Sequence, residues 1–184
     1  MAINEAHPQH PSFAMILKER VVEQFLIRLD AVSHRAEELL IVSPVLGTLS
    51  GTRMTVERLR HVLRLNKIRT YLVTRSPEND LTRGAPGHRP ALETLGSIDG
   101  LEIRYNDQLH AKVYVCMCND RQSSFAVIGS ANMTRTSIER NIEVGIMIRY
   151  AYQGQNLIDE LGYWIKNNLR FRARVAKPIV RIRR

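Results

Sequence analysis

The sequence contains no run of about 18 consecutive apolar residues, so no segment is long and apolar enough for a membrane-spanning helix. Its first twelve residues lack a cationic start followed by an apolar core, which argues against a secretory signal. Residues 1–13 read as a loose polar arm, and His7 and His10 in it as tail residues rather than metal ligands. Cysteine is nearly missing: Cys116 and Cys118 are the only two. Two residues apart on one strand they make a poor disulfide, and two ligands are too few for a structural metal site. Buried free thiols are expected, which suits a reducing cytoplasm. Aromatic residues are scarce at 6%, leaving few stacking platforms and no support for sequence-specific reading of single strands. Acidic residues are absent from residues 170–184, which hold seven of the 27 basic residues, among them Arg170, Arg172, Arg174, Arg181, Arg183 and Arg184. The whole chain carries +9, and without this segment only +2 remains. No internal repeat is visible.

What is present suits one soluble domain of residues 14–169, followed by a basic tail, 170–184. A chain of 184 residues with 44% apolar content buries a core without help from disulfides. A dense cationic tail favours phosphate backbones, because each neutralised phosphate releases counterions. The other use of residues 170–175, where basic and apolar residues alternate, is an edge strand or an arm gripping an acidic partner protein.

Helical spacing of Val22, Phe25, Leu26 and Leu29 predicts an amphipathic helix over 14–32. Glu38-Leu39-Leu40-Ile41-Val42-Ser43 reads as a buried strand, 55–65 as a second helix and 68–74 as a second strand. Strand, helix, strand at this spacing predicts a parallel crossover. The fold class is therefore α/β, a mixed, mostly parallel sheet with helices on both faces. Residues 75–90 contain three prolines and two glycines and read as a long irregular loop facing substrate, with Arg75, Arg83 and Arg89 as candidate nucleic-acid contacts. His88 is the most tempting residue of this loop, but it reads as a surface histidine with no role. A short helix over 91–98 and a third strand over 101–105 follow, and 153–169 forms a last helix with Leu157, Leu161, Trp164, Ile165 and Leu169 as its buried stripe.

The chemistry gathers in Leu109-His110-Ala111-Lys112-Val113-Tyr114-Val115-Cys116, answered by Val127-Ile128-Gly129-Ser130-Ala131-Asn132. The apolar, alternating runs predict two strands, and residues 117–124 the hairpin between them. His110 and Lys112 then leave one face together, and the hairpin returns Ser130 and Asn132 beside them. Thr136-Ser137-Ile138-Glu139 has the form of a capping box opening a helical turn, and residues 141–148 read as a further strand with Asn141 and Glu143 on one face. A nucleophile or proton carrier beside a fixed ammonium suits an anion such as a phosphodiester. His110 would attack phosphorus, Lys112 and Asn132 would hold the non-bridging oxygens, and Ser130 would support the site. That scheme needs no cofactor and no metal.

His-x-Lys, Gly-Ser-x-Asn and the downstream Asn141-x-Glu143 together resemble the signature of the phospholipase D superfamily. One departure is that the family often has an Asp five residues after the Lys, where this chain has Met117 and a displaced Asp120. The resemblance implies a site built from two such motifs. A chain with one motif would complete it as a homodimer, with His110 of each copy as nucleophile and general acid in turn. It implies for Glu143 the role of orienting and charging a histidine. Superfamily members resemble one another whether they act on DNA, RNA or phospholipid. The tail and the Arg-bearing loop favour a nuclease, DNA ahead of RNA, in a repair, restriction or anti-phage assembly, with no membrane partner. Two other readings stand beside it: a non-catalytic subunit holding nucleic acid or a partner such as an ATPase, and a phospholipase.

Overall fold

The computed structural model describes residues 13–176. Arg181, Arg183, Arg184 and nearly all of the polar arm lie outside them. Among the described residues eight strands form one mixed sheet: β1 (Ala14–Leu17), β2 (Ala36–Val42), β3 (Arg69–Thr74), β4 (Leu101–Tyr105), β5 (Val113–Cys118), β6 (Phe125–Gly129), β7 (Gly145–Arg149) and β8 (Arg174–Val175). Their order across the sheet is β1-β7-β6-β5-β2-β3-β4-β8. Parallel pairing is confined to β2–β3 and β3–β4, and every other neighbour is antiparallel. The expected crossover through α2 (Val56–Leu65) is present, but the parallel share is smaller than that reading implied. Only β5 and β6 are antiparallel through a short hairpin; the other antiparallel neighbours are brought together by longer connections or from distant parts of the chain.

Helices cover both faces. α1 (Val21–Val32), α2 and α4 (His88–Gly96) pack on one, where Phe25, Leu26, Leu59 and Leu92 are fully buried with Tyr114, Cys116 and Phe125 from the sheet. α6 (Gln155–Tyr163), continued by a π-helical turn at Trp164–Leu169, packs on the other, where Ile158 and Ile165 meet Leu40, Val115 and Ala126. Alternate residues of β5 thus serve opposite cores, as the period of a strand dictates. Full burial of each large aliphatic or aromatic side chain contributes about 1.5–3 kcal/mol, so this double-sided sheet is the main source of stability. Cys116 and Cys118 are free and buried, their sulfurs 3.9 Å apart.

Several boundaries move. The helix expected over 14–32 begins only at Val21, because Ala14–Leu17 pairs with β7 as an edge strand. The irregular stretch 75–90 contains the single turn α3 (Asp80–Arg83) and the start of α4. The buried stripe of the last helix is Ile158, Ile165 and Leu169, whereas Leu157 is exposed. Among the described residues no helix is long and apolar enough to cross a membrane.

Candidate active site

The strand carrying the candidate nucleophile starts later than its apolar pattern suggests: β5 begins at Val113, so His110 and Lys112 lie just ahead of it. The ladder reaches one step further through the Gly129 N–H, which donates to the Lys112 carbonyl at 3.2 Å. This places Lys112 across from the Gly-Ser-Ala-Asn segment. The approach to His110 is a tight turn in which the Asn106 side-chain oxygen accepts from the Gln108 N–H at 3.0 Å. The Leu109 N–H donates back to the Asn106 carbonyl at 3.0 Å. His110 emerges exposed from this turn, and Lys112 is half-buried.

The second segment is set by close backbone approach. Gly129 stands opposite Gly145 in the β6–β7 register. A Cβ on Gly129 would lie 2.5 Å from the Val144 carbonyl oxygen, so only glycine fits. Beyond it the Ser130 N–H donates to Val144 O at 3.0 Å and the Val144 N–H donates to Ser130 Oγ at 3.2 Å. The Ser130 hydroxyl donates to Glu143 Oε2, and Asn141 Nδ2 donates to Glu143 Oε1 at 3.1 Å. Glu143 is only 8% exposed. Both carboxylate oxygens of this buried side chain thus have a donor, which offsets the cost of burying it.

Asn132 follows. Its side-chain oxygen is buried and meets no hydrogen-bond donor among the described residues. The flanking backbone is held on both sides. The Tyr114 hydroxyl donates to Ala131 O at 2.8 Å, the Met133 N–H donates to Ser43 Oγ at 3.0 Å, and the Gly47 N–H donates to Met133 O at 2.8 Å. Burial pushes the Tyr114 hydroxyl well above the ordinary tyrosine range, keeping it a neutral donor. Burial also lowers the Lys112 ammonium below the ordinary lysine range. Glu143 pulls it back up, and Arg75 pushes it further down. The site thus joins a half-buried ammonium, a buried carboxylate, a hydroxyl and an unsatisfied amide oxygen, with an exposed imidazole beside them.

The remaining sequence candidates are placed as follows. The short helix α5 (Arg135–Glu139) is capped by Thr134, whose hydroxyl accepts from the Ser137 N–H at 3.2 Å, so Thr136 lies inside the helix rather than at its cap. Asp120 belongs to the β5–β6 hairpin, where it accepts from the Gln122 N–H at 3.1 Å and the Ser123 hydroxyl at 2.8 Å. Arg75 is buried rather than presented on a loop, and its Nε donates to the Leu109 carbonyl at 2.9 Å, bracing the residue before His110. Arg83 and Arg89 are on the surface, Arg89 paired with Glu78 at 3.1 Å and Arg83 with Asp80 at 3.8 Å. Arg170 holds Glu102 through two hydrogen bonds of 2.8 Å, and Arg174 pairs with Asp107 at 3.2 Å within the edge strand β8. The start of the basic segment is therefore tied to β4, through the Arg170 side chain and, at Arg174–Val175, as an edge strand. Arg172 stays exposed.

His88 is a correction. It is 1% exposed, not a surface residue. Its Nδ1 accepts from the Leu46 N–H at 3.0 Å, and Nε2 lies 3.1 Å from the Arg75 carbonyl, a set that requires the neutral ring with its proton on Nε2. Burial lowers its pKa, outweighing the two backbone partners. The folded protein thus binds this proton less readily than the unfolded chain does. Stability is full above the ordinary histidine range of about 6.5 and declines as pH falls below it. His88→Ala leaves the Leu46 N–H and the Arg75 carbonyl without partners and is expected to lower stability by about 2 kcal/mol. Urea unfolding at neutral and mildly acidic pH measures both effects: the mutant is less stable at neutral pH, and the gap narrows on acidification.

Sequence reasoning overlooked Arg75 as a charge behind the site and the Ser43–Tyr114–Ala131 support. Only the alternation of β5, which turns Tyr114 toward α1, could have signalled the latter. Among the described residues no group of three or more His, Cys, Asp or Glu side chains is placed to hold a metal ion.

An eight-stranded mixed sheet between helices, with a His-x-Lys and a Gly-Ser-x-Asn converging at the ends of two adjacent strands, defines the phospholipase D class of fold. A family model described as the phospholipase D-like domain of cardiolipin synthase matches residues 29–166, about three quarters of the chain, and the chain belongs to this family. The fold is similar to that of Nuc, a phospholipase D family member from Salmonella typhimurium. Identity is 14%, the TM-score is 0.60, and 89% of this chain and 99% of that chain are covered. It is also similar to NucT from Helicobacter pylori, at 11% identity and a TM-score of 0.57, covering 89% and 98% of the two chains. A polyphosphate kinase from Porphyromonas gingivalis matches at 12% identity and a TM-score of 0.55, over 95% of this chain and 27% of that one. No curated protein sequence matches. At the level of the family, the activity is that of a phosphodiesterase.

Proposed function

We propose that this protein is a metal-independent nuclease that cleaves DNA or RNA through a phosphohistidine. The observation that carries the reading is the convergence of Lys112, Ser130 and Glu143, with Asn132 two residues beyond Ser130, beside the exposed His110. An imidazole nitrogen of His110 attacks phosphorus, and the P–N bond forms as the P–O bond to the leaving strand breaks. Lys112 and the Asn132 Nδ2–H group donate to the non-bridging oxygens and stabilise their charge. Ser130 and Asn141 hold Glu143 in place, and its carboxylate opposes the effect of burial on the Lys112 ammonium.

One chain supplies one His110, so the group that protonates the leaving oxygen comes from a second copy. His110 of that copy gives its proton to the leaving strand. It then takes one from the water that breaks the P–N bond. An apolar row supports such a partner: Ile16, Ile146 and Ile128 lie side by side across β1, β7 and β6 and are exposed, with Val144 and Ile142 uncovered next to Glu143.

The test is cleavage of labelled plasmid, single-stranded DNA and RNA by the wild type in excess EDTA. Cleavage at the rate seen without chelator is expected. Loss of all cleavage on chelation, restored by a divalent cation, would sink the metal-independent mechanism. Binding of nucleic acid with no cleavage under any condition would leave a silent binding subunit instead.

A further inference from the structure

We infer that the cleft beside His110 holds an unpaired stretch of nucleic acid, one base stacked on Trp164 and a neighbouring phosphate on Arg172. This rests on the nuclease reading above and narrows its substrate to single strands. The cleft encloses about 560 Å³ and is lined by His110, Gln108, Trp164, Arg172 and Arg174 among others. That volume falls within the range of about 300–1,000 Å³ usual for small-ligand sites.

Trp164 is the single tryptophan of the chain. It is half-buried, packing against the core beneath α6 while it lines the cleft. It also opens the π-helical turn Trp164–Leu169, in which the Arg170 N–H donates five residues back to Ile165 O at 2.9 Å. Such turns are rare and concentrate at functional sites. A large ring held firmly from behind and open to a cleft is a stacking platform that loses little entropy on binding.

The turn that follows is braced from β4 and the segment after it. Arg104 Nη1 donates to the carbonyls of Arg170 at 3.1 Å and Ala173 at 3.2 Å, and Asn106 Nδ2 approaches the Arg172 carbonyl at 3.5 Å. The backbone of Arg172 is held in this way, yet among the described residues its exposed guanidinium has no acidic partner. Its neighbours differ. Arg170 is tied to Glu102, while Arg174 is tied to Asp107 and lies 5.6 Å from the centre of the Tyr105 ring. An unpaired cation on an anchored turn, in one cleft with an aromatic face and the candidate nucleophile, suits a phosphate next to a stacked base. Stacking on one ring tolerates any base, so the scarcity of aromatics is consistent with it. A base inside a duplex has no free face to offer.

Because Trp164 is the only tryptophan, its emission reports on this position alone. The experiment titrates the full chain carrying His110→Ala, which prevents turnover, with oligothymidylate and with the same strand annealed to its complement. Oligothymidylate should quench the emission, and the duplex should leave it nearly unchanged. Measured with a labelled strand, Trp164→Leu, which keeps apolar bulk, and Arg172→Ala, on an exposed side chain, should each weaken binding about tenfold. Arg172→Ala should also reduce the slope of log affinity against log salt by about 0.7. Binding with unchanged emission would overturn the inference, as would equal quenching by duplex, no binding, or Arg172→Ala of wild-type affinity. Cleavage of the same strand by the wild type is followed in parallel. Cleavage without quenching removes this cleft and leaves the nuclease reading, and quenching without cleavage does the reverse.

Discussion

His110→Ala should lower nucleic-acid cleavage by on the order of 10⁴-fold or more, the scale seen when a covalent nucleophile is removed, while the protein keeps its fold. The side chain is exposed and makes no hydrogen bond among the described residues, so its loss opens no cavity and orphans no partner. The elements that place it remain: the Asn106 turn, the Arg75 bond to Leu109 O and the start of β5. Initial rates on single-stranded DNA, with thermal unfolding of the same samples, provide the check. A melting temperature equal to that of the wild type together with a rate reduced only a few-fold would remove His110 as nucleophile.

Gly129→Ala, by contrast, should damage stability and activity together. The added Cβ would stand 2.5 Å from Val144 O and 2.8 Å from the Gly145 Cα. Both are backbone atoms of the paired strand and cannot rotate aside. Retreat of β7 is opposed by its pairing with β1 on the far side, and the face at Gly145 is closed by α1: a Cβ there would meet Val21 Cγ1 at 2.6 Å. The expected loss is about 3 kcal/mol, or roughly 10 °C in melting temperature. Activity falls further than stability alone explains, because displacing Val144 breaks its N–H bond to Ser130 and shifts Glu143 away from the serine hydroxyl. Differential scanning fluorimetry and rates measured well below the melting temperature separate the two effects. A melting temperature within about 2 °C of the wild type would show that β6 and β7 can part without loss.

How much could be read in advance differs element by element. The core strands were legible because Glu38 to Ser43 and Val113 to Cys116 are short apolar runs bounded by turns, and such runs have few other uses. Ala14–Leu17 was not, since four apolar residues before an amphipathic helix look like its first turn, and only the distant β7 makes them a strand. The same limit explains His88. Its neighbours in sequence are Gly87, Arg89 and Pro90, which suggest a surface loop, whereas its partners are Leu46 and Arg75, brought to it by the packing of α4.

The spacing of His110, Lys112, Ser130, Asn132 and Glu143 along the chain carried the family and the hairpin that gathers them, because both rest on local order: strand period, turn composition and short separations. What each charge does in the fold depended on distances that no local pattern encodes. Arg75 looked like a free cation and became a brace beneath His110, Arg170 and Arg174 looked like a tail but one ties its turn to Glu102 of β4 and the other lies in the edge strand β8, and Arg172 alone of these four kept an unpaired exposed charge. Burial and pairing are set by residues tens of positions away in sequence, so the electrostatics of the site exist only once the eight strands are in register.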